Sequence, residues 1–266
     1  MTTTKTAVIT GSSRGVGADT AKILAAEGYN VVVNYRQKAP RANKVVKEIE
    51  EAGGRAVAVG ADLTNEEDLD RLMQTAIDEF GSLDLLVLNA SGGMEKDLGD
   101  NYALRLNRDA QSNALTAALS RMNPGGRVIF VTSHQAHFIN DVDTMDAYDA
   151  VAKSKRAGED KLTSRIPEMS EKGVSFVVVS GDMIEGTVTA TLLNRMEPGA
   201  LEARREAAGK LYSVREFAEE IAKLATADLP TGHIELVGGA QDFLAQVGGR
   251  EVSIMTVGPA RTRKEP

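Results

Sequence analysis

The chain has 266 residues, a formal net charge of -7 and no cysteine, with 42% hydrophobic and 26% charged residues. This is the composition of a globular protein; it excludes disulfides, thiolate metal sites and cysteine nucleophiles, and the acidic balance argues against a general nucleic-acid binder. No apolar run approaches the roughly 18 residues of a membrane helix, and residues 1–5 lead straight into an apolar strand without secretory-signal features, so the expected location is cytoplasmic.

Short apolar runs rich in β-branched residues alternate with longer segments of helical period, the pattern of repeated βαβ units around a parallel sheet. Seven strands are predicted, at residues 6–10, 30–35, 56–60, 83–89, 126–132, 175–180 and 233–237. Their unbroken Val, Ile and Leu runs imply burial on both faces, and the intervening lengths suit right-handed helical crossovers. Helices are predicted to begin near Gly15, Ala42, Asn65, Asn101, Ala147 and Ser213, several beside side chains able to cap exposed amides. Two stretches break the pattern: the acidic loop 140–149, and the Gly- and Pro-punctuated segment 181–211, whose helical pieces could cover a pocket. One domain over residues 1–257 accounts for the pattern, with 258–266 as a flexible tail.

Directly after the first strand comes Thr10-Gly11-Ser12-Ser13-Arg14-Gly15-Val16-Gly17, opening the first helix. Glycines between a strand and a helix let backbone approach a phosphate, and the helix N-terminus favours its negative charge. The run resembles the TGxxxGxG fingerprint of the short-chain dehydrogenase/reductase family, and further matches extend over almost the whole chain. Asp62-Leu63 resembles the family's adenine-contacting pair. Asn89-Ala90-Ser91-Gly92 resembles a variant of its Asn-Asn-Ala-Gly motif, with Ser91 where glycine is usual. The resemblance implies a single-domain Rossmann fold, a parallel seven-stranded sheet with helices on both faces, and a homodimer or homotetramer. Ala110, Ala114, Ala117, Ala118 and Ala157 suit either close helix packing between subunits or packing on the sheet.

An NAD-specific site normally offers the adenosine ribose a carboxylate at the end of the second strand, whereas a 2′-phosphate requires that charge to be absent. Here the sequence reads Asn34-Tyr35-Arg36. Arg36 and Arg14 could both pair with a phosphate dianion, which favours NADP(H) over NAD(H); the competing reading leaves one of them as a solvated surface charge.

Arg127 to Ser133 resembles the family strand that ends at a catalytic serine, so Ser133 is expected to stabilise charge developing on a carbonyl oxygen; it could instead cap a loop. Asn107 resembles the asparagine supporting the family's proton relay, with Asn113 the competing assignment. The family places tyrosine four residues before lysine on one helix face. Aligning Ser154-Lys155 with the usual Ser-Lys pair puts Val151 where that tyrosine belongs, and valine cannot transfer a proton.

Tyr148 lies one turn earlier. On a continuous helix it would share a face with Lys155 but stand about 10 Å away along the axis. It can serve as acid only if the helix starts later and the acidic loop folds it back; Lys155 would then bind the nicotinamide ribose and stabilise negative charge on the phenol oxygen. His134 and His137 are reserve proton donors, each also readable as a hydrogen-bonded loop residue. Asp141, Asp143, Asp146 and Asp149 could favour a cationic substrate or a metal, but their spacing matches no recognised metal loop and solvated charges are the plainer reading; no metal is expected. After the sixth strand, Ile184 and Thr187 are candidate contacts to the nicotinamide carboxamide, with helix capping the alternative for Thr187.

These readings support an NADP(H)-dependent oxidoreductase interconverting a carbonyl and a secondary alcohol on a small-molecule substrate, without nucleic-acid or membrane partners. The alternative is a catalytically impaired NADP-binding sensor or scaffold, for which Val151 speaks most directly.

Overall fold

In the computed structural model, which describes residues 4–94, 99 and 101–247, the seven apolar runs form one sheet. The strands are β1 (Thr6–Ile9), β2 (Asn30–Tyr35), β3 (Arg55–Gly60), β4 (Leu85–Leu88), β5 (Arg127–Ser133), β6 (Ser175–Gly181) and β7 (His233–Val237). All pair in parallel, in the order β3-β2-β1-β4-β5-β6-β7. Because side chains alternate across a strand, each strand feeds two cores. Ala7, Ile9, Val31 and Val33 pack with the helices α1 (Gly15–Ala26), α2 (Ala39–Glu51) and α11 (Val214–Thr226). Val8, Val32, Leu86 and Leu88 face α3 (Glu66–Phe80), α5 (Gln111–Leu119) and α7 (Asp149–Thr163). The chain is thus a single-domain, doubly wound Rossmann-type fold. Among the described residues no helix is long and apolar enough to cross a membrane; residues 248–257, and the tail expected at 258–266, lie outside them.

Several boundaries move for identifiable reasons. α2 begins at Ala39 rather than near Ala42, because Pro40 sits in the first turn, where its missing N–H costs nothing. β4 stops at Leu88, since the amide of Asn89 leaves the ladder to donate to Thr10 Oγ1 at 3.0 Å. The helix expected from Asn101 is composite: α4 (Tyr102–Leu104), a π-helical stretch (Arg105–Ala110) and then α5. The helix expected from Ala147 begins at Asp149, after a 3-10 turn over Asp146–Tyr148. The remaining helices are α6 (His134–His137), α8 (Ile166–Glu171), α9 (Val188–Met196), α10 (Ala200–Ala208) and α12 (Ala240–Val247).

Candidate active site

Strand order reverses between β1 and β4, and a cleft of about 710 Å³ opens along the carboxyl ends of the strands there. Gly11, Ser13, Arg14, Gly15 and Val16 line it, and Gly17 lies behind. Gly11 has φ +63°, which side-chain-bearing residues rarely adopt. A Cβ on Gly17 would stand 2.5 Å from Asn89 Nδ2 and 2.8 Å from Gly11 O, so only glycine lets the loop close against β4. Asn34 stitches this loop to the sheet: Gly11 N donates to Asn34 Oδ1 at 3.0 Å, and Asn34 Nδ2 donates to Ala61 O at 3.2 Å. α3, α9 and α11 are each capped by a side chain, from Asn65, Thr187 and Ser213 respectively, whereas α1 has none at Arg14. Its first amides therefore face the cleft with no side-chain acceptor, the geometry that a pyrophosphate fits.

The far end of the cleft is cationic. Arg36 donates to the hydroxyl of Tyr102, and its guanidinium lies over that ring at 5.6 Å from the centroid. Arg14, Lys38 and Arg41 line the same cleft as Arg36, and none of the four forms an ion pair among the described residues. Tyr35 and Leu63 line this end too. Asp62 is present there, but its Oδ1 accepts from Thr64 N at 2.9 Å and Thr64 Oγ1 at 2.8 Å.

At the other end, Ser133 closes β5 and Tyr148 ends the 3-10 turn; both line the cleft with Lys155. The tyrosine hydroxyl lies 3.4 Å from Ser133 Oγ, which also accepts from Ala136 N at 3.4 Å at the start of α6. α7 starts one residue after Tyr148, and the tyrosine is 6% exposed. Val151 packs behind it in an apolar cluster with Ala152 and Met183. Lys155 is buried and its ammonium has no hydrogen-bonding partner among the described residues.

Asn107, not Asn113, joins this end. From the π-helical stretch its Nδ2 donates to Gly92 O at 2.8 Å and Ser154 Oγ at 2.9 Å, fixing α7 next to Lys155. Asn113 instead reaches Glu66 at 3.4 Å. Asn89, Ala90 and Ser91 line the cleft between the two ends. Asn89 Nδ2 is spent on Thr10 O at 3.0 Å and Gly11 O at 3.3 Å. Ile184 and Thr187 line the cleft as well, and Thr187 Oγ1 accepts from Ala190 N at 3.1 Å, capping α9.

The reserve donors His134 and His137 lie outside the cleft lining. His134 is fully buried, with Nδ1 2.8 Å from Ser180 Oγ and Nε2 2.7 Å from Gly238 O. Burial pushes its pKa below the ordinary imidazole value, and the neutral ring fits both partners by donating from Nε2 and accepting at Nδ1. His137 Nδ1 lies 2.6 Å from Glu159 Oε1, and neither histidine lines the cleft. Nor do Asp141, Asp143, Asp146 and Asp149; the first three are exposed, and Asp149 pairs with Lys153 at 2.8 Å.

Sequence reasoning passed over Tyr102, Lys38, Arg41 and Gln135, which the fold brings to the cleft wall. Only the bunching of Lys38 and Arg41 beyond the second strand offered a signal.

A family model described as short chain dehydrogenase matches residues 5–197. The 1-cyclohexenylcarbonyl-CoA reductase of Streptomyces collinus is 31% identical over 90% of this chain and 87% of its own length. The 3-oxoacyl-[acyl-carrier-protein] reductase of a Synechocystis strain is 33% identical over 71% of this chain and 78% of its own. Among solved structures, a short chain dehydrogenase from Burkholderia cenocepacia in complex with NADP superposes with a TM-score of 0.74 at 27% identity, covering 88% of this chain and 96% of that one. The family match spans the glycine loop, the serine strand and α7 alike, and the chain therefore belongs to the short-chain dehydrogenases, oxidoreductases of alcohol and carbonyl groups that work with NAD(P).

Proposed function

We propose that this protein is an NADP(H)-dependent oxidoreductase interconverting a carbonyl and a secondary alcohol by hydride transfer, with Tyr148 as its proton donor although Val151 occupies the family's tyrosine position. The observation that carries the reading is the 3.4 Å approach of the Tyr148 hydroxyl to Ser133 Oγ on a wall shared with Lys155. The reductase names of its relatives support the reaction class.

Bound nicotinamide supplies or accepts the hydride; the chain's own groups bind, orient and move the proton. Gly11, Ser13, Gly15, Val16 and Gly17 with the open α1 N-terminus hold the pyrophosphate. Arg36, with Arg14 and Tyr35, takes the 2′-phosphate, a preference supported by the unpaired cations at that end and by the NADP complex of the Burkholderia relative. Asp62 and Leu63 would hold the adenine, Asn89, Ala90 and Ser91 the middle of the dinucleotide, and Ile184 and Thr187 the carboxamide, since all of them line the cleft. Ser133 Oγ–H donates to the substrate oxygen as negative charge grows on it. Tyr148 gives that oxygen its proton during reduction and takes it back during oxidation. The Lys155 ammonium grips the ribose and stabilises phenolate charge, while Asn107 fixes the helix that carries it. Met183, Val188 and Leu193 make the substrate end apolar.

The test is NADPH and NADH oxidation with a panel of apolar ketones, alongside direct cofactor binding. Ketone-dependent NADPH oxidation supports the reading; tight NADPH binding with no turnover of any ketone would leave the sensor or scaffold role. For assembly, a homodimer or homotetramer remains our proposal, to be read by light scattering. Half-buried Ala117 and Ala157 suit such contacts, whereas Ala110, Ala114 and Ala118 are buried in the core of their own chain.

A further inference from the structure

A tyrosine carried inside a helix four residues before its lysine is positioned by that helix. Tyr148 lacks this support because it precedes α7. Its backbone N–H donates to Met145 O at 2.8 Å, closing the 3-10 turn. The N–H of Met145 in turn donates to the side-chain oxygen of Gln135 at 3.2 Å. Gln135 stands two residues after Ser133, on α6. The contacts thus form a closed ring: Ser133 to Gln135 along the chain, Gln135 to Met145, Met145 to Tyr148, and the Tyr148 hydroxyl back to Ser133 Oγ. Upstream, the acidic loop is anchored at Val142, which is buried against Phe138 and Phe243 and donates its N–H to Phe138 O at 2.9 Å. Between that anchor and Tyr148, the Gln135 amide makes the one side-chain hydrogen bond from elsewhere to residues 143–147 among the described residues.

We propose that Gln135 is the positioning residue for the displaced proton donor: its amide oxygen fixes Met145, and through the 3-10 turn sets the Tyr148 hydroxyl beside Ser133. The inference rests on the reading of Tyr148 as the acid. It accounts for how the chain dispenses with a tyrosine at position 151, since a polar tether from the serine segment replaces the helical register that would otherwise fix the donor.

The experiment compares Gln135→Leu, which keeps the volume without the acceptor, with Gln135→Glu, which keeps an oxygen able to accept from Met145 N–H. Kinetics on the full chain with NADPH and a turned-over ketone, cofactor affinity, and hydrogen exchange over 143–148 in the free protein are read together. Gln135→Leu is expected to lower kcat about tenfold with KM and NADPH affinity changed less than about twofold, and to speed exchange across 143–148 while the rest of the protein exchanges as before. Gln135→Glu is expected to recover most of both effects. In a Tyr148→Phe background, Gln135→Leu should cost no further activity. Exchange and kcat both unchanged in Gln135→Leu, or equal losses in the Leu and Glu variants, would overturn the proposal. If Tyr148→Phe itself keeps full activity, the reading of the acid fails; if Tyr148→Phe is inactive and Gln135→Leu is wild-type, the tether alone fails.

Discussion

The Tyr148 hydroxyl sits 3.4 Å from Ser133 Oγ although these residues come from different elements, the 3-10 turn before α7 and the last position of β5. Two hydroxyls at that separation can converge on one substrate oxygen, and groups that act on one oxygen lose their effects together rather than additively. Ser133→Ala and Tyr148→Phe are each expected to lower kcat by about 100-fold or more, with the double variant within about threefold of the worse single one. Steady-state kinetics on the three variants checks this; multiplicative losses would mean that the hydroxyls act independently.

At the phosphate end, Arg36 is held by the hydroxyl and ring of Tyr102 and has no carboxylate partner among the described residues. Arg36→Ala is expected to weaken NADPH at least about tenfold while leaving NADH within about twofold, because only NADPH carries the additional dianion. Fluorescence titration with both cofactors provides the measurement.

Gly158 lies inside α7, where alanine would ordinarily be favoured over glycine by about 1 kcal/mol. Here a Cβ would stand 2.0 Å from the backbone oxygen of Asn107. Steric cost outweighs propensity: Gly158→Ala is expected to destabilise the fold by about 1–3 kcal/mol, by pushing α7 off the π-helical stretch. Urea unfolding reads the change, and a stabilised variant would show that the helices separate without cost.

His134 gives stability a pH dependence. Burial depresses its folded-state pKa, so below about pH 6.5 the unfolded chain binds a proton that the folded chain does not. Its contribution is complete above that pH and is lost as pH falls, by up to about 1.4 kcal/mol per pH unit. Asp109 and Glu168, whose pKa values are lowered by hydrogen bonds from Arg108 and Arg165, act in the same direction but below the ordinary carboxylate range. Unfolding free energies between pH 7.5 and 5.5 should therefore decline in the wild type and vary much less in His134→Gln.

The sheet was legible because seven short runs dominated by Val, Ile, Leu and Ala recur between segments of helical period, the pattern of strands covered on both faces. The glycine loop was legible because strand, glycines and helix follow one another directly. The Tyr148 geometry was not. Residue spacing describes a continuous helix, whereas the 3-10 turn depends on a tether from Gln135, ten residues away in sequence, whose side-chain hydrogen bond leaves no periodic trace. The histidines were ambiguous for a related reason: only the fold brings Ser180, Gly238 and Glu159 to their ring nitrogens. Tyr102 went unnoticed because its role comes from meeting Arg36 across 66 residues.

The most direct test of the account is single-turnover reduction of a ketone by NADPH in the wild type and Tyr148→Phe, with NADPH affinity measured on both. The expected result is a loss of about 100-fold or more in the rate of hydride transfer at unchanged NADPH affinity. A Tyr148→Phe enzyme that reduces ketone at the wild-type rate would contradict the account, because the proton would then come from elsewhere.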